Sequence, residues 1–225
     1  PPSPPAVVAF DAAPPVSPPG EPIAVCALVL DADDPPGDLV VDIDLGPAGA
    51  FTGSPASDGW YCVITAALPI GVTTVRARVS DPDGATDEAW LDVRVTTPPT
   101  VAILDFLPEQ PRTQDVLTAR AAVSDTEGDP IVLRWRALVD GAEVASGDRA
   151  VPSPPETLEI ALDPSWSSRG ERVAIALVPA DGSLVGPEVI TVDRLIRNTP
   201  PDAPHLAIAP ARSEERRVGK ECRSR

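Results

Sequence analysis

Apolar and polar residues alternate in short runs along the chain. In VLTARAAVS (116–124) every second residue is apolar, beginning with Leu117, and in VTTVRARVS (72–80) Arg76 and Arg78 alternate with apolar residues. Alternation with a period of two places one set of side chains on the buried face of a sheet and the other set in solvent. Turn residues separate these runs, so the pattern predicts an all-β fold.

Each half of the chain contains six predicted strands. In the first half we expect strands at 6–10, 22–30, 39–45, 60–68, 72–80 and 88–96. In the second half we expect strands at 100–106, 115–124, 131–139, 157–162, 172–178 and 187–196. Short edge strands are predicted at 50–52 and 142–146.

A double proline followed by an apolar run occurs three times. PPAV begins at Pro4, PPTV at Pro98 and PPDAP at Pro200, which gives a period near 100 residues. Repeats of this size built from short strands are typical of immunoglobulin-like (Ig-like) β-sandwiches. We therefore predict tandem Ig-like Greek-key sandwiches.

The prolines also predict the module boundaries. Module one is expected over residues 1–97 and module two over 98–198, and a linker with the first strand of a truncated third module over 199–211. Proline fixes its own φ and restricts the residue before it, so Thr97–Pro98–Pro99 should form a short, stiff, extended linker.

Composition limits the classes of partner. The formal charge is −16, and such a surface repels nucleic acid and anionic lipid. No apolar run approaches the ~20 residues of a membrane helix. We therefore expect no nucleic-acid partner and no membrane insertion. The chain contains no methionine and begins without a signal-peptide pattern, so both ends are interpreted as truncated.

The last 14 residues differ abruptly from the rest. RSEERRVGKECRSR (212–225) holds the only lysine, Lys220, and one of the three cysteines, Cys222. The string resembles a translated sequencing-adapter read-through and is interpreted as a non-native tail. Removing its net charge of +3 takes the formal charge of the remainder from −16 to −19.

Several motifs resemble those of bacterial Ig-like, PKD-like and cadherin-like repeats. They are SDPDG (80–84), SDTEGDP (124–130) and the tryptophan of LRWRALVDG (133–141); the stretch 178–204 is similar to the last strands and linker of repeats in large secreted proteins. The resemblance implies an extracellular or cell-surface localisation. Relatives often carry a cysteine pair where this sequence has Ala119 and Ile175, an apolar pair that can fill the same volume.

The tryptophans are predicted to pack rather than to bind a ligand. Trp135 lies on the third strand of module two, where a sandwich places its core tryptophan, and Ile43 occupies the comparable run of module one. Trp60, Trp90 and Trp166 are expected to be packing or edge residues.

Cys26 and Cys62 are the disulfide candidate. They lie on the second predicted strand and, when the short edge strand at 50–52 is counted, on the fifth; these two strands are neighbours in one sheet of an Ig-like sandwich. Cys26 belongs to the outward set if Ile23 faces inward, whereas Cys62 alternates in step with Ile64, which is expected to face inward. A bulge would reconcile the two, and two separate thiols remain the alternative.

Acidic loops are the candidate metal sites. They span 31–38, 80–88, 124–129 and 180–183, and an Ig-like topology gathers the loops after the second and sixth strands at one pole. Carboxylates that converge there can supply oxygen ligands to calcium. The candidate ligands are Asp125, Glu127, Asp129 and Asp181. The alternative is that Asp and Gly simply form tight turns, so no resident cofactor is predicted.

No catalytic motif is present. The single histidine, His205, follows a linker, and no nucleophile elbow, zinc spacing or phosphate-binding loop occurs. We therefore predict a non-enzymatic spacer, stalk or adhesion segment of a large bacterial surface or secreted protein. Its partners would be neighbouring repeats of the same chain and a protein or glycan ligand. The alternative is a set of accessory modules of a secreted hydrolase whose catalytic domain lies elsewhere.

Overall fold

The computed structural model describes residues 3–200, which form two successive β-sandwiches. Residues 201–211 of the predicted third module, His205 and the tail at 212–225 lie outside the described residues. No helix between residues 3 and 200 is long and apolar enough to cross a membrane.

Module one contains eight strands. They are β1 (Ala6–Ala13), β2 (Val16–Ser17), β3 (Ile23–Leu30), β4 (Val40–Asp44), β5 (Ala50–Gly53), β6 (Trp60–Thr65), β7 (Gly71–Ser80) and β8 (Thr86–Val95). One sheet has the order β1-β3-β6 and the other the order β2-β8-β7-β4-β5. The N-terminal segment contributes a strand to each sheet. Its first part, β1, pairs antiparallel with β3, and its second part, β2, pairs parallel with β8.

Module two repeats this arrangement. Its strands are β9 (Thr100–Leu107), β10 (Leu117–Ser124), β11 (Ile131–Val139), β12 (Ala142–Val151), β13 (Glu156–Leu162), β14 (Arg172–Ala180), β15 (Val189–Ile190) and β16 (Arg194–Leu195). One sheet has the order β9-β10-β13 and the other the order β12-β11-β14, with both β15 and β16 paired to β14. Short 3-10 helices lie at Pro36–Asp38, Gly46–Ala48 and Pro164–Trp166.

Each sandwich has its own apolar core. The buried residues of module one extend from Ile23 to Val95, and those of module two from Val101 to Ile196. Aliphatic side chains dominate both cores, as expected of a chain in which only 4% of residues are aromatic. The predicted all-β tandem sandwich fold is confirmed.

The predicted alternation is also confirmed in detail. On β10 the four alternate residues from Leu117 to Val123 are buried, and on β7 Val75, Ala77 and Val79 are fully buried. Ile43 is fully buried as well, and Ala119 and Ile175 both lie in the core of module two. Aliphatic side chains therefore fill the core of module two at these two positions.

Two strand predictions were wrong. The segment at 142–146 was expected to be a short edge, but β12 continues to Val151 because it pairs with the whole of β11. The segment at 187–196 was expected to be one strand, but it is divided into β15 and β16. Thr191 causes the break: its hydroxyl accepts the Ile175 amide at 3.0 Å in place of a backbone carbonyl, and the register shifts by one residue afterwards.

Trp135 packs against the core of module two but remains partly exposed. Its ring stacks on Trp166, with the ring centroids 6.2 Å apart. A Cβ on Gly147, the residue opposite Trp135 in the strand pair, would lie 2.8 Å from the indole ring. The lack of a side chain at Gly147 therefore leaves room for the indole ring beside β12.

Gly59 is expected to be intolerant of substitution. It has φ +86°, and an added Cβ would lie 2.7 Å from the Val29 carbonyl oxygen. Gly20 has a similar φ of +82° with nothing within 4 Å of an added Cβ, so Gly20→Ala is the matched control. Both variants share the backbone strain, and Gly59→Ala should cost about 1 kcal/mol more in the free energy of unfolding. Equal losses in urea denaturation would contradict this expectation.

Candidate functional site

In each module, strands from opposite sheets end in an aspartate. In module one, β3 is followed by Asp31 and β7 by Asp81; in module two, β10 is followed by Asp125 and β14 by Asp181. All four carboxylates have a buried Oδ2 without a hydrogen-bond partner among the described residues. We call the end of each sandwich that carries these aspartates the acidic pole.

At the acidic pole of module two, Asp125 and Asp181 organise turns. Asp125 Oδ1 accepts the amides of Glu127 and Asp129, each at 3.0 Å. Asp181 Oδ1 accepts the amides of the residues two and three positions further on, each at 2.7 Å. One oxygen of each carboxylate is therefore used for local turn structure.

The other two predicted ligands of module two contact module one. Asp129 forms an ion pair with Arg94 near the end of β8. Glu127 Oε2 accepts the Thr97 hydroxyl at 2.6 Å and the Thr97 amide at 3.3 Å, and Thr96 Oγ1 lies 3.4 Å away. Glu127 and Asp129 therefore join the two modules across the linker.

The four predicted calcium ligands do not form a cluster. Residues 3–200 contain one group of three or more His, Cys, Asp or Glu side chains whose ligand atoms all lie within 4.8 Å of one another. The group consists of Asp31, Asp34 and Asp81. That group lies at the acidic pole of module one. The sequence signal for it was present in the loops at 31–38 and 80–88, but Asp34 cannot be distinguished from its acidic neighbours without the loop conformation.

Hydrogen bonds from Ser3, near the start of the chain, explain why Asp33 does not join the cluster whereas Asp34 does. Asp33 Oδ2 accepts the Ser3 amide at 2.6 Å and the Ser3 hydroxyl at 3.0 Å, and these bonds lower the pKa of the Asp33 carboxyl. Asp34 instead lies beside Asp31 and Asp81. Partial burial raises the pKa of the Asp34 carboxyl, and the charges of Asp31 and Asp81 raise it further.

A disulfide bond joins Cys26 and Cys62 in the structure. The two residues are directly opposite each other on β3 and β6, and their Cα atoms are 4.1 Å apart. Cys62 is exposed and Cys26 half-buried, so the bond lies on the outer face of the sheet. It closes a separation of 36 residues.

The expected inward orientation of Ile64 was wrong. Val63 lies opposite Val25, which is fully buried, and directly opposed residues share a face of the sheet. Val63 is accordingly 7% exposed and Ile64 is 72% exposed. Cys26 and Cys62 therefore both face outward, and no bulge between them is needed.

The chain resembles known proteins only in fold. No protein-family model matches it, and no curated protein matches its sequence. Solved structures with a similar fold include the chicken CNTN1 FN1–FN3 domains (13% identity, TM-score 0.41, 87% of this chain and 66% of that chain covered). Another is an ICAM-5 D1–D4 ectodomain fragment (17% identity, TM-score 0.42, 89% and 54% covered). The chain thus spans less than two thirds of either protein, and at these scores the likeness carries no argument about function.

Proposed function

We propose that this chain is a non-enzymatic segment of a bacterial surface or secreted protein that acts as a stiff spacer between neighbouring domains. The observation that carries the proposal is the junction between the modules. Arg94 and Thr97 at the end of module one contact Asp129 and Glu127 at the acidic pole of module two.

The junction has the properties that a spacer requires. Only Thr96–Pro99 separates β8 from β9, and two of these four residues are prolines. The linker is thus too short and too restricted to act as a flexible tether. An ion pair and a hydrogen-bonded carboxylate on the same side of it oppose bending, since bending would separate charged groups from their partners.

The disulfide supports an extracellular or cell-surface location. Disulfide bonds persist in oxidising compartments and are rare in the reducing cytosol. An exposed pair such as Cys26–Cys62 is accessible to cellular reductants, so it should remain intact only outside the cytosol. Neighbouring repeats of the same chain are the partners that a spacer of this kind requires.

The proposal predicts a narrow distribution of distances between the modules. Spin labels at Ala50→Cys and Ala142→Cys, both exposed sites, would report it by pulsed electron paramagnetic resonance in a Cys222→Ser background. We expect one narrow distance peak in the parent protein. The double variant Glu127→Ala/Asp129→Ala should broaden the peak, because it removes both contacts to module one while leaving the core intact.

A matched variant controls for the loss of charge. Glu143→Ala/Glu159→Ala removes the same charge from module two, but these residues pair with Arg136 and Arg120 on the strand faces. The control should keep the narrow peak. A broad distribution in the parent protein would refute the spacer proposal, as would an unchanged width in the Glu127→Ala/Asp129→Ala variant.

A further inference from the structure

We propose that the acidic pole of module one is a calcium site, formed by Asp31, Asp34 and Asp81, that links the two sheets of the sandwich. This inference concerns residues other than those at the junction and does not depend on the spacer function. Asp31 and Asp34 follow β3 of one sheet, and Asp81 follows β7 of the other. A cation held by all three would therefore tie the sheets together at this end.

The strongest observation is the state of Asp81. Its side chain is only 8% exposed, and its Oδ2 is buried without a hydrogen-bond partner. Its Oδ1 accepts the Ala85 amide at 2.8 Å, which fixes the carboxylate in position. A buried carboxylate oxygen without a donor costs free energy, and a bound cation would remove that cost.

The other two carboxylates leave further oxygens free. Asp31 uses Oδ1 to accept the Asp33 and Asp34 amides, while its Oδ2 is also buried and without a partner. The Asp34 side chain accepts no hydrogen bond from any residue in the described range. One carboxylate oxygen from each of Asp31, Asp34 and Asp81 therefore lies within 4.8 Å of the other two.

Among the described residues, no cation compensates this charge. Within residues 3–200, the ion pairs of the arginines lie on the outer strand faces or at the junction, and none involves Asp31, Asp34 or Asp81. Asp83 and Asp38 lie near enough to act on Asp34 through their charges and add to the negative potential. A cation from solution would neutralise a cluster that no described basic side chain neutralises.

Calcium fits this donor set. It binds six to eight oxygens in flexible geometry, so the three carboxylates and bound water would supply its coordination. Magnesium is smaller and demands near-octahedral geometry from ligands at about 2.0–2.1 Å. Carboxylates that come from two separate loops favour the larger ion.

Module two lacks the same site, although its pole has two equivalent aspartates. Asp125 and Asp181 correspond to Asp31 and Asp81 by their positions at strand ends. Three residues after Asp125, however, stands Gly128, whereas three residues after Asp31 stands Asp34. The remaining acidic side chains of that loop contact module one, so module two serves as an internal control.

Isothermal titration of the full chain with calcium chloride, after removal of metal with a chelator, tests the proposal. We expect one site with half-saturation at about 0.1–1 mM, the range of extracellular calcium modules. Calorimetric melting in 5 mM calcium should raise the module one transition by about 5–15 °C relative to a sodium chloride solution of equal ionic strength. Magnesium chloride should produce a smaller shift.

Single substitutions locate the site. Asp34→Asn and Asp81→Asn should each weaken calcium binding about tenfold or more, since each removes a charged ligand. Asp81→Asn keeps an oxygen for the Ala85 amide, and Asp34 accepts no hydrogen bond, so both variants should fold. Asp11→Asn removes an exposed charge elsewhere on module one and should leave binding unchanged, as should Asp129→Asn in module two.

Three outcomes would overturn the proposal. They are the absence of both a saturable heat and a calcium-dependent melting shift, undiminished binding in Asp34→Asn and Asp81→Asn, and loss of binding in Asp129→Asn. None of them bears on the distance distribution that tests the spacer function. The two proposals can therefore fail independently.

Discussion

Replacing both Cys26 and Cys62 by alanine is expected to lower the free energy of unfolding of module one by about 3–4 kcal/mol. The disulfide closes a 36-residue separation, and a cross-link of that length restricts the unfolded chain by this amount in the chain-entropy account. Both side chains lie on the outer face of the sheet, so their replacement leaves no core cavity. The loss should therefore come from the cross-link itself.

Differential scanning calorimetry of the full chain measures this effect. The double variant should melt about 12–32 °C lower in its module one transition, since 1 kcal/mol shifts the midpoint of a domain of this size by roughly 4–8 °C. The module two transition should stay in place. Reduction of the parent protein should reproduce the shift, and Cys222→Ser, which removes the remaining cysteine, should not. A module one transition unmoved by reduction would refute the expectation, and intact mass before and after reduction would show whether the bond had formed.

Leu133→Ala is expected to destabilise module two by about 2–5 kcal/mol. Leu133 is fully buried on β11, between the two sheets of a module whose described residues contain no disulfide. Truncation to alanine loses the transfer free energy of the removed carbons and leaves a cavity that the surrounding strands fill only partly. Because the described residues of this module contain no disulfide, no covalent bond limits the effect.

The adjacent residue provides the matched control. Val132 lies on the same strand, faces the opposite way and is 40% exposed. Val132→Ala should therefore cost well under half as much as Leu133→Ala in urea denaturation followed by tryptophan fluorescence. Similar losses in the two variants would mean that the orientation of β11 differs from the one described.

The two cysteines show which structural features could be predicted from the sequence and which depend on contacts between distant residues. Their strands were predicted correctly as neighbours, because the topology of an Ig-like sandwich pairs these two strands. The orientation of Cys62 was not predicted, because Ile64 is apolar and suggested the wrong face. Only the pairing of Val63 with the buried Val25 decides which face of β6 is inside.

The acidic loops show the same division. The sequence placed aspartates at strand ends in both modules and predicted that these ends meet at one pole. The candidate ligands were placed in module two, whose pole was expected to face module one across the proline linker. In the structure Asp129 is paired with Arg94, a residue 35 positions earlier in the chain, and Glu127 accepts hydrogen bonds from the linker. Pairings across that distance leave no periodic trace in a sequence.

Local sequence patterns are sufficient to predict the all-β class, the two sandwiches, most strand positions and the inward faces of β7 and β10. These features depend on residue-to-residue alternation and on turn residues, which act within a few positions of the chain. Other features depend on the tertiary structure. They are the face of β6 on which Cys62 lies, the break at Thr191, the contacts at the junction, and the presence of Asp34 rather than Asp33 in the cluster at the acidic pole. In each of these, a side chain is directed by a partner distant in sequence or by the conformation of a loop, and neither is encoded in a local pattern.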